Sequence, residues 1–207
     1  MSPPAQRTNH IRRIVITGGP GAGKSTVAAQ LGQELRERVV VVPEVATHLL
    51  GGFFPRIADT EERRAVQRAI YHVQLSLEAV HCGRAAQDTV LLFDRGLPDG
   101  AAYWPEGADA FFSALGSDVA RARGRYDAVV FLETAAVGGL SIHGDSSSGQ
   151  NIARTEGQEE AVRVDSLLRQ VWSPHPHFRF IGYTPTFEAK VAAALGQIRE
   201  LLAAPPR

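Results

Sequence analysis

Cysteine is nearly absent from this chain, and so is any excess of charge. Cys82 is the only cysteine in 207 residues, so no disulfide can form within the chain, and a free thiol fits a reducing cytoplasm. Basic and acidic residues number 22 each, which gives a formal net charge of zero. Because nucleic-acid binding usually needs a basic field, we expect no nucleic-acid partner. We expect a cytoplasmic protein.

Long apolar runs are also missing. No run approaches the roughly 20 residues that a membrane-spanning helix needs, so we expect no membrane span. Residues 1–7 lack the apolar centre of a signal peptide. We expect a flexible N-terminal tail at 1–11 and a C-terminal tail at 203–207. The length between them, 12–202, suits one domain with its own core.

The most informative stretch is a glycine-rich segment between an apolar β-branched run and a helical pattern. It has the form Gly-x-x-x-x-Gly-Lys-Ser. Glycines let the backbone wrap around a polyphosphate with its N–H groups inward, and the helix N-terminus adds partial positive charge. Lys24 can reach the β and γ phosphates, and Ser25 can hold Mg²⁺. The motif predicts an ATP and Mg²⁺ site at Gly18, Gly19, Pro20, Gly21, Ala22, Gly23, Lys24, Ser25 and Thr26.

Short apolar runs alternate with amphipathic segments along the rest of the chain. The runs predict strands at 13–17, 39–42, 89–93, 127–132 and 178–181. Apolar residues at helical spacing predict helices at 24–37, 60–86, 186–202 and from a Thr155/Gln158 capping box to about 172. Continuous apolar strands are typical of a parallel sheet that is buried on both faces. The pattern predicts an α/β P-loop NTPase fold: a three-layer, doubly wound, mostly parallel five-stranded sheet with helices on both faces.

Charged residues follow the predicted strands directly. Glu44 follows the second strand, Asp94 and Arg95 follow the third, and Glu133 follows the fourth. Ligands of such sheets bind beyond the carboxyl ends of the strands, so these side chains are expected to converge near the triphosphate. Each residue alone could instead cap a helix or a turn.

Four segments carry a resemblance to a known group of proteins. They are TGGPGAGKST at 17–26, VPEVA at 42–46, FDRGLPDG at 93–100 and YDAVVFLE at 126–133. Together they are similar to the small AAA-labelled P-loop family related to the nicotinamide-riboside kinase domain of bacterial NAD regulators. More distantly, they resemble deoxynucleoside kinases. The resemblance covers roughly residues 12–200.

The resemblance implies roles for the residues at the strand ends. Glu44 would be the base for an acceptor hydroxyl, Asp94 the carboxylate on the Mg²⁺ side with Ser25, and Arg95 a ligand of phosphate or substrate. The chain departs from the kinases at the next position. Gly96 stands where they usually carry serine after Asp-Arg.

Residues 138–154 are rich in glycine and serine and end at Arg154. P-loop kinases carry their lid at this place in the chain. A mobile lid would bring Arg154 onto the phosphates and exclude water, which makes this arginine a catalytic candidate. The alternative is a surface loop without a role. Arg163 is either a second candidate or a solvated helix residue.

Two other segments allow more than one interpretation. Phe53 and Phe54 could form part of an acceptor pocket, which Asp99 could also line, or they could pack beneath their own loop. His175 and His177 are spaced as metal ligands could be, but the chain has no cysteine partner or second pair for them. A turn before the fifth strand is therefore the favoured interpretation.

Two classes of function remain open. The first is an ATP-dependent P-loop kinase that transfers the γ-phosphoryl group to a small-molecule hydroxyl, with a nucleoside-like acceptor as first candidate. Its catalytic residues would be Glu44, Lys24, Asp94, Arg95 and Arg154. The second is a nucleotide-binding regulatory switch or slow NTPase that acts on a protein or lipid partner. The chain lacks an Asn-Lys-x-Asp guanine-reading motif and is too short for an AAA+ module, and both features favour the kinase. The sequence leaves the oligomeric state open.

Overall fold

The computed structural model describes residues 11–35, 38–55, 57–139 and 157–203. Its strands are β1 (Arg12–Thr17), β2 (Val39–Val42), β3 (Val90–Asp94), β4 (Ala128–Leu132) and β5 (Phe178–Ile181). Its α-helices are α1 (Lys24–Glu34), α2 (Val45–Leu50), α3 (Thr60–Arg84), α4 (Ala108–Ala114), α5 (Val119–Arg123), α6 (Gln158–Trp172) and α7 (Phe187–Ala203). Two 3₁₀ helices, Leu97–Tyr103 and Ala135–Gly138, follow β3 and β4.

The five strands form one sheet in the order β2-β3-β1-β4-β5, and every neighbouring pair is parallel. β1 lies in the middle, with Ile14 opposite Leu92 of β3 and Ala128 of β4. All carboxyl ends therefore meet at one edge of the sheet, and the glycine-rich loop leaves from its centre.

Alternation along the strands divides the core between the two faces of the sheet. In β1, Ile14 and Ile16 pack on the face covered by α1 and α7. Val15 packs on the opposite face, which α3 to α6 and the first 3₁₀ helix cover. Trp172 of α6 is fully buried there. Helices lie on both faces of the parallel sheet, so the predicted three-layer P-loop fold is confirmed.

The structure corrects the predicted start of α6. Gly157 is its N-cap residue and has no side-chain cap, so Gln158 is the first helical residue and not the third. The Gln158 amide instead donates to the carbonyl oxygen of Ala136 at 3.0 Å. Thr155, the other half of the predicted capping box, lies outside the described residues.

Helices α2, α4 and α5 and the two 3₁₀ helices were not predicted, and other differences concern the ends of elements. The helix predicted to reach 37 ends at Glu34, and the long helix ends at Arg84. The expected tails fall mostly outside the described residues, although Ile11 packs against the core and Ala203 ends α7. Within the described ranges, no helix is both long and apolar enough to cross a membrane.

Candidate active site

The glycine-rich loop fits closely against the elements around it. Gly18 has a φ of 137°, and a Cβ on this residue would lie 1.9 Å from the carbonyl oxygen of Leu132 at the end of β4. Gly23, at a φ of 86°, leaves space for the ring of Phe187 in α7, which a Cβ would approach to 2.4 Å. These positions need glycine for both conformation and space.

Lys24 lies at the start of α1 and is buried at 3% exposure. Its Nζ donates to the carbonyl oxygens of Gly18 at 2.9 Å and Gly19 at 2.7 Å. The ammonium group is thus held at the loop itself, where the phosphates of a bound nucleotide would lie.

Ser25 and Asp94 form a pair of oxygen ligands. The Ser25 hydroxyl donates to Asp94 Oδ2 at 2.6 Å, whereas the buried Oδ1 has no hydrogen-bond partner among the described residues. Burial raises the pKa of Asp94, the charge of Glu44 adds to this, and Ser25, Lys24 and Arg95 oppose it. An unpaired carboxylate oxygen beside a hydroxyl fits Mg²⁺, which takes few protein ligands and completes its shell with water and phosphate.

Arg95 joins two carboxylates in a buried cluster. It has a φ of 73°, in the left-handed region, directly after β3. Its Nε donates to Glu44 Oε1, and its Nη1 donates to Asp99 Oδ2 at 3.3 Å. The second oxygen of Glu44 accepts a hydrogen bond from the Thr47 hydroxyl at 2.6 Å. Both oxygens of Glu44 are therefore fixed in position.

Asp99 is a buried bridge and not an exposed pocket residue. Besides Arg95, it accepts hydrogen bonds from the Thr17 hydroxyl at 2.8 Å and the Trp172 indole N–H at 2.7 Å. Burial raises the pKa of Asp99, and the charge of Arg95 opposes this. The bridge connects the first 3₁₀ helix to β1 and α6, and it fixes the position of Arg95.

The structure explains the departure at Gly96. A Cβ on this residue would lie 2.9 Å from the ring of Trp172 and 3.1 Å from the ring of Tyr126. These two rings occupy the space that a serine side chain would need, so glycine suits this position.

Glu133 does not join the other strand-end carboxylates. Its Oε2 accepts the backbone N–H of Tyr183 at 2.7 Å, and its carbonyl oxygen accepts from Lys190 Nζ at 2.6 Å. Burial lowers the pKa of Lys190, and Glu133 opposes this shift. The strand order explains the separation, because β2 and β3 lie on one side of β1 and β4 lies on the other.

A groove of about 680 Å³ runs along the edge of the sheet between β5 and α7. Its lining includes Phe180, Tyr183 and Gln197. It lies at the far edge of the sheet from Glu44, so it is separate from the cluster around Arg95.

The structure also locates two of the remaining candidate site residues. Phe53 is 82% exposed, so it does not pack beneath its loop. Arg163 pairs with Glu160 one turn earlier on α6, as a solvated helix residue does. Arg154 and most of the expected lid lie outside the described residues.

The two histidines form a turn. His175 Nε2 lies 2.9 Å from the carbonyl oxygen of Tyr126, and its Nδ1 accepts the backbone N–H of His177 at 3.1 Å. These bonds require the neutral Nε2–H tautomer, and burial lowers the pKa of His175 in agreement. No group of three potential metal-ligating side chains occurs among the described residues.

Sequence reasoning missed Asp165. This aspartate lies on the buried face of α6 with Ala161 and Leu168, and it accepts the backbone N–H of Gly19 in the glycine-rich loop. A charged residue in the middle of an apolar helix face was the available signal.

Comparison with known proteins agrees with the P-loop fold. A family model described as "AAA domain" matches residues 13–189. The deoxyadenosine kinase of M. mycoides with bound dATP superposes with a TM-score of 0.61 at 13% identity, over 92% of this chain and 100% of that chain. A structure of that kinase with the products dCMP and a flexible dCDP gives a TM-score of 0.57 at 13% identity, over 91% and 99%.

No curated protein matches this chain. At 13% identity, the likeness to the kinase structures shows the fold alone. The family match shows membership of the family, because it extends from β1 into α7 and includes the whole glycine-rich loop. The chain therefore belongs to this AAA-domain family of P-loop proteins.

Proposed function

We propose that this chain is an ATP-dependent phosphotransferase that moves the γ-phosphoryl group to a hydroxyl of a small, nucleoside-like acceptor. One observation carries the proposal. Glu44 and Asp94 end up side by side beyond neighbouring strands, where Arg95 pairs with Glu44 and Ser25 pairs with Asp94. One carboxylate for a metal ion and one for a proton thus lie beside the loop lysine, as phosphoryl transfer to a hydroxyl requires.

The glycine-rich loop binds the phosphates in this proposal. Its backbone N–H groups and the N-terminus of α1 face the negative charge. Lys24 releases the carbonyl oxygens of Gly18 and Gly19, and its Nζ binds phosphate oxygens instead. A charged oxygen is the stronger acceptor, so this exchange is favourable.

Ser25 and Asp94 would hold Mg²⁺ in this proposal. The Ser25 hydroxyl and the unpaired Oδ1 of Asp94 would supply the two protein oxygens. The chemistry that a bound Mg²⁺ would supply is neutralisation of charge on the phosphates.

Glu44 acts as the general base. Its carboxylate takes the proton of the acceptor hydroxyl while that oxygen bonds to the γ-phosphorus. The bond from the γ-phosphorus to the bridging oxygen then breaks, and ADP leaves. Arg95 and Thr47 keep the two oxygens of Glu44 in place for this transfer.

The acceptor side is bounded by α3 and the first 3₁₀ helix. Gln67 of α3 is buried and faces Gly100, close to Asp99. Trp104 and Tyr71 form edge-to-face pairs with the ring of Phe111 beside them. These three rings belong to the buried core beneath this side of the site, so they support the acceptor side from below. The resemblance of the strand-end segments to nucleoside kinases supports a nucleoside-like acceptor.

The expected lid at 138–154, of which residues 140–154 lie outside the described part of the chain, stays in this proposal and would bring Arg154 onto the phosphates. Hydrogen exchange tests the lid directly. We expect exchange in this segment to slow when both substrates bind and an Arg154→Ala variant to lose turnover. Equal exchange in both states, with a normal rate for the variant, would contradict a lid.

The decisive experiment needs the acceptor first. A thermal-shift screen of nucleosides, ribosylated bases and small alcohols with a non-hydrolysable ATP analogue identifies it. Glu44→Gln should then keep ATP affinity and lose turnover by roughly 10²–10⁴-fold, the usual contribution of a general base. Glu133→Gln is the matched control, because this carboxylate also follows a strand but lies apart from Arg95. Its turnover should stay near that of the unmutated chain.

Two outcomes would overturn parts of the proposal. Phosphorylation at the unmutated rate by Glu44→Gln would remove Glu44 as the base. Slow ATP hydrolysis without any acceptor in the screen would replace the kinase with the second class, a regulatory switch or slow NTPase that acts on a protein or lipid partner.

A further inference from the structure

One buried aspartate holds the glycine-rich loop from outside. Asp165 is 4% exposed, and its Oδ1 accepts the backbone N–H of Gly19 at 2.8 Å and of Thr134 at 2.9 Å. The Thr134 hydroxyl in turn donates to the carbonyl oxygen of Pro20. The loop, the segment after β4 and helix α6 thus share one hydrogen-bonded junction.

The junction has no spare room. A Cβ on Gly19 would lie 2.6 Å from Asp165 Oδ1 and 2.7 Å from its Cβ. Glycine at position 19 therefore allows the carboxylate to reach the loop backbone. Removal of the Asp165 side chain would leave the backbone N–H groups of Gly19 and Thr134 without this acceptor. An unpaired buried N–H group lowers the stability of the folded state.

We propose that Asp165 is a positioning residue of the nucleotide site, which fixes the Gly18–Gly19 peptide of the loop and couples the loop to α6. The inference rests on the proposed binding of ATP to this loop. Because Asp165 takes the N–H of Gly19, that group is withheld from the phosphates, and the Gly18 carbonyl oxygen of the same peptide points at Lys24 until a nucleotide binds. The loop is then held in one shape before the nucleotide arrives, so less ordering is needed on binding.

Three variants test the hydrogen bonds through the calorimetric affinity for MgATP. Asp165→Ala removes the acceptor and should weaken MgATP binding by about ten- to a hundredfold. Asp165→Asn keeps an acceptor oxygen in the same place and should stay within about threefold of the unmutated chain. Leu168→Ala, one turn later on the same buried face, should lower stability and leave MgATP affinity unchanged.

Hydrogen exchange on the unmutated protein tests the coupling without any variant. MgATP should slow amide exchange at Thr134 and in the turn of α6 around Asp165, while α5 (Val119–Arg123) serves as a control segment and stays unchanged.

The possible failures are distinguishable. Absence of MgATP binding by the unmutated chain would overturn the proposed function itself. Normal MgATP affinity in Asp165→Ala, an equal loss in Asp165→Asn, or unchanged exchange in α6 would overturn the positioning role while leaving ATP binding in place.

Discussion

The ring of Trp172 lies where a side chain on Gly96 would have to go, 2.9 Å from the position of a Cβ. The same indole donates its N–H to Asp99, which binds Arg95. One bulky residue of α6 thus supports the segment after β3 by contact and by a hydrogen bond. Trp172 therefore helps to fix both the backbone after Arg95 and, through Asp99, the side chain of Arg95.

Gly96→Ser should therefore destabilise the fold. We expect a loss of about 1–3 kcal/mol, the usual cost of forcing extra atoms into a packed core. Urea denaturation measures this directly. Gly52→Ser is the matched control, because a Cβ on Gly52 would meet nothing within 4 Å. An equal effect at both positions would show that packing against Trp172 is not the cause.

Lys24→Ala should bind nucleotide more weakly without unfolding. The lysine supplies charge to the loop, and its Nζ donates to two backbone carbonyl oxygens of that loop. We expect MgATP affinity to fall by about tenfold to a hundredfold, from the 1.5–3 kcal/mol of a hydrogen bond to a charged group. Calorimetric titration measures the affinity, and circular dichroism monitors the fold. Unchanged affinity and turnover would remove the nucleotide assignment.

Metal binding should depend on pH through Asp94. Burial and then the charge of Glu44 raise the pKa of this carboxyl, so it takes up a proton at a higher pH than an ordinary aspartate. The protonated group does not bind Mg²⁺, so Mg²⁺ affinity should fall as pH falls through that raised pKa. Asp94→Asn should bind Mg²⁺ weakly at every pH, and excess Mg²⁺ should partly restore its turnover. A pH-dependent affinity in Asp94→Asn equal to that of the unmutated chain would assign the effect to another group.

Stability should also respond to acid through His175. Its pKa is lowered from 6.5 by burial, so the unfolded chain binds this proton more readily than the folded chain. The contribution of His175 is complete above pH 6.5 and is lost as pH falls below that value towards the folded-state pKa. His175→Asn should have a flatter dependence of unfolding free energy on pH between roughly 5 and 7, measured by urea titration at each pH. A dependence as steep as that of the unmutated chain would point to another group.

The local pattern of apolar residues was sufficient to predict the five strands of the sheet. The five apolar runs were long enough to be recognised, and the glycine-rich motif marked the strand that lies at the centre. Short helices such as α2 and α5, with six and five residues, are too short for a helical period to be visible.

The site was only partly accessible to sequence reasoning. Glu44, Asp94 and Arg95 were expected together and lie together, because their strands turned out to be neighbours. Glu133 was expected with them, but strand order is a property of the whole sheet and cannot be read from one run. Asp165 is 146 positions from Gly19, and the sequence around either residue gives no sign of their contact.

The central place of β1 has a consequence for how such a protein can change. Everything proposed to choose and deprotonate the acceptor lies towards β2 and β3, whereas Asp165, Thr134 and Lys190 lie towards β4 and α7. Substitutions that alter acceptor preference therefore need not disturb the half of the molecule that holds the triphosphate loop. The two flanks are nevertheless joined across β1 by Ser25 with Asp94 and by Trp172 with Asp99, so substitutions at those four positions would act on both.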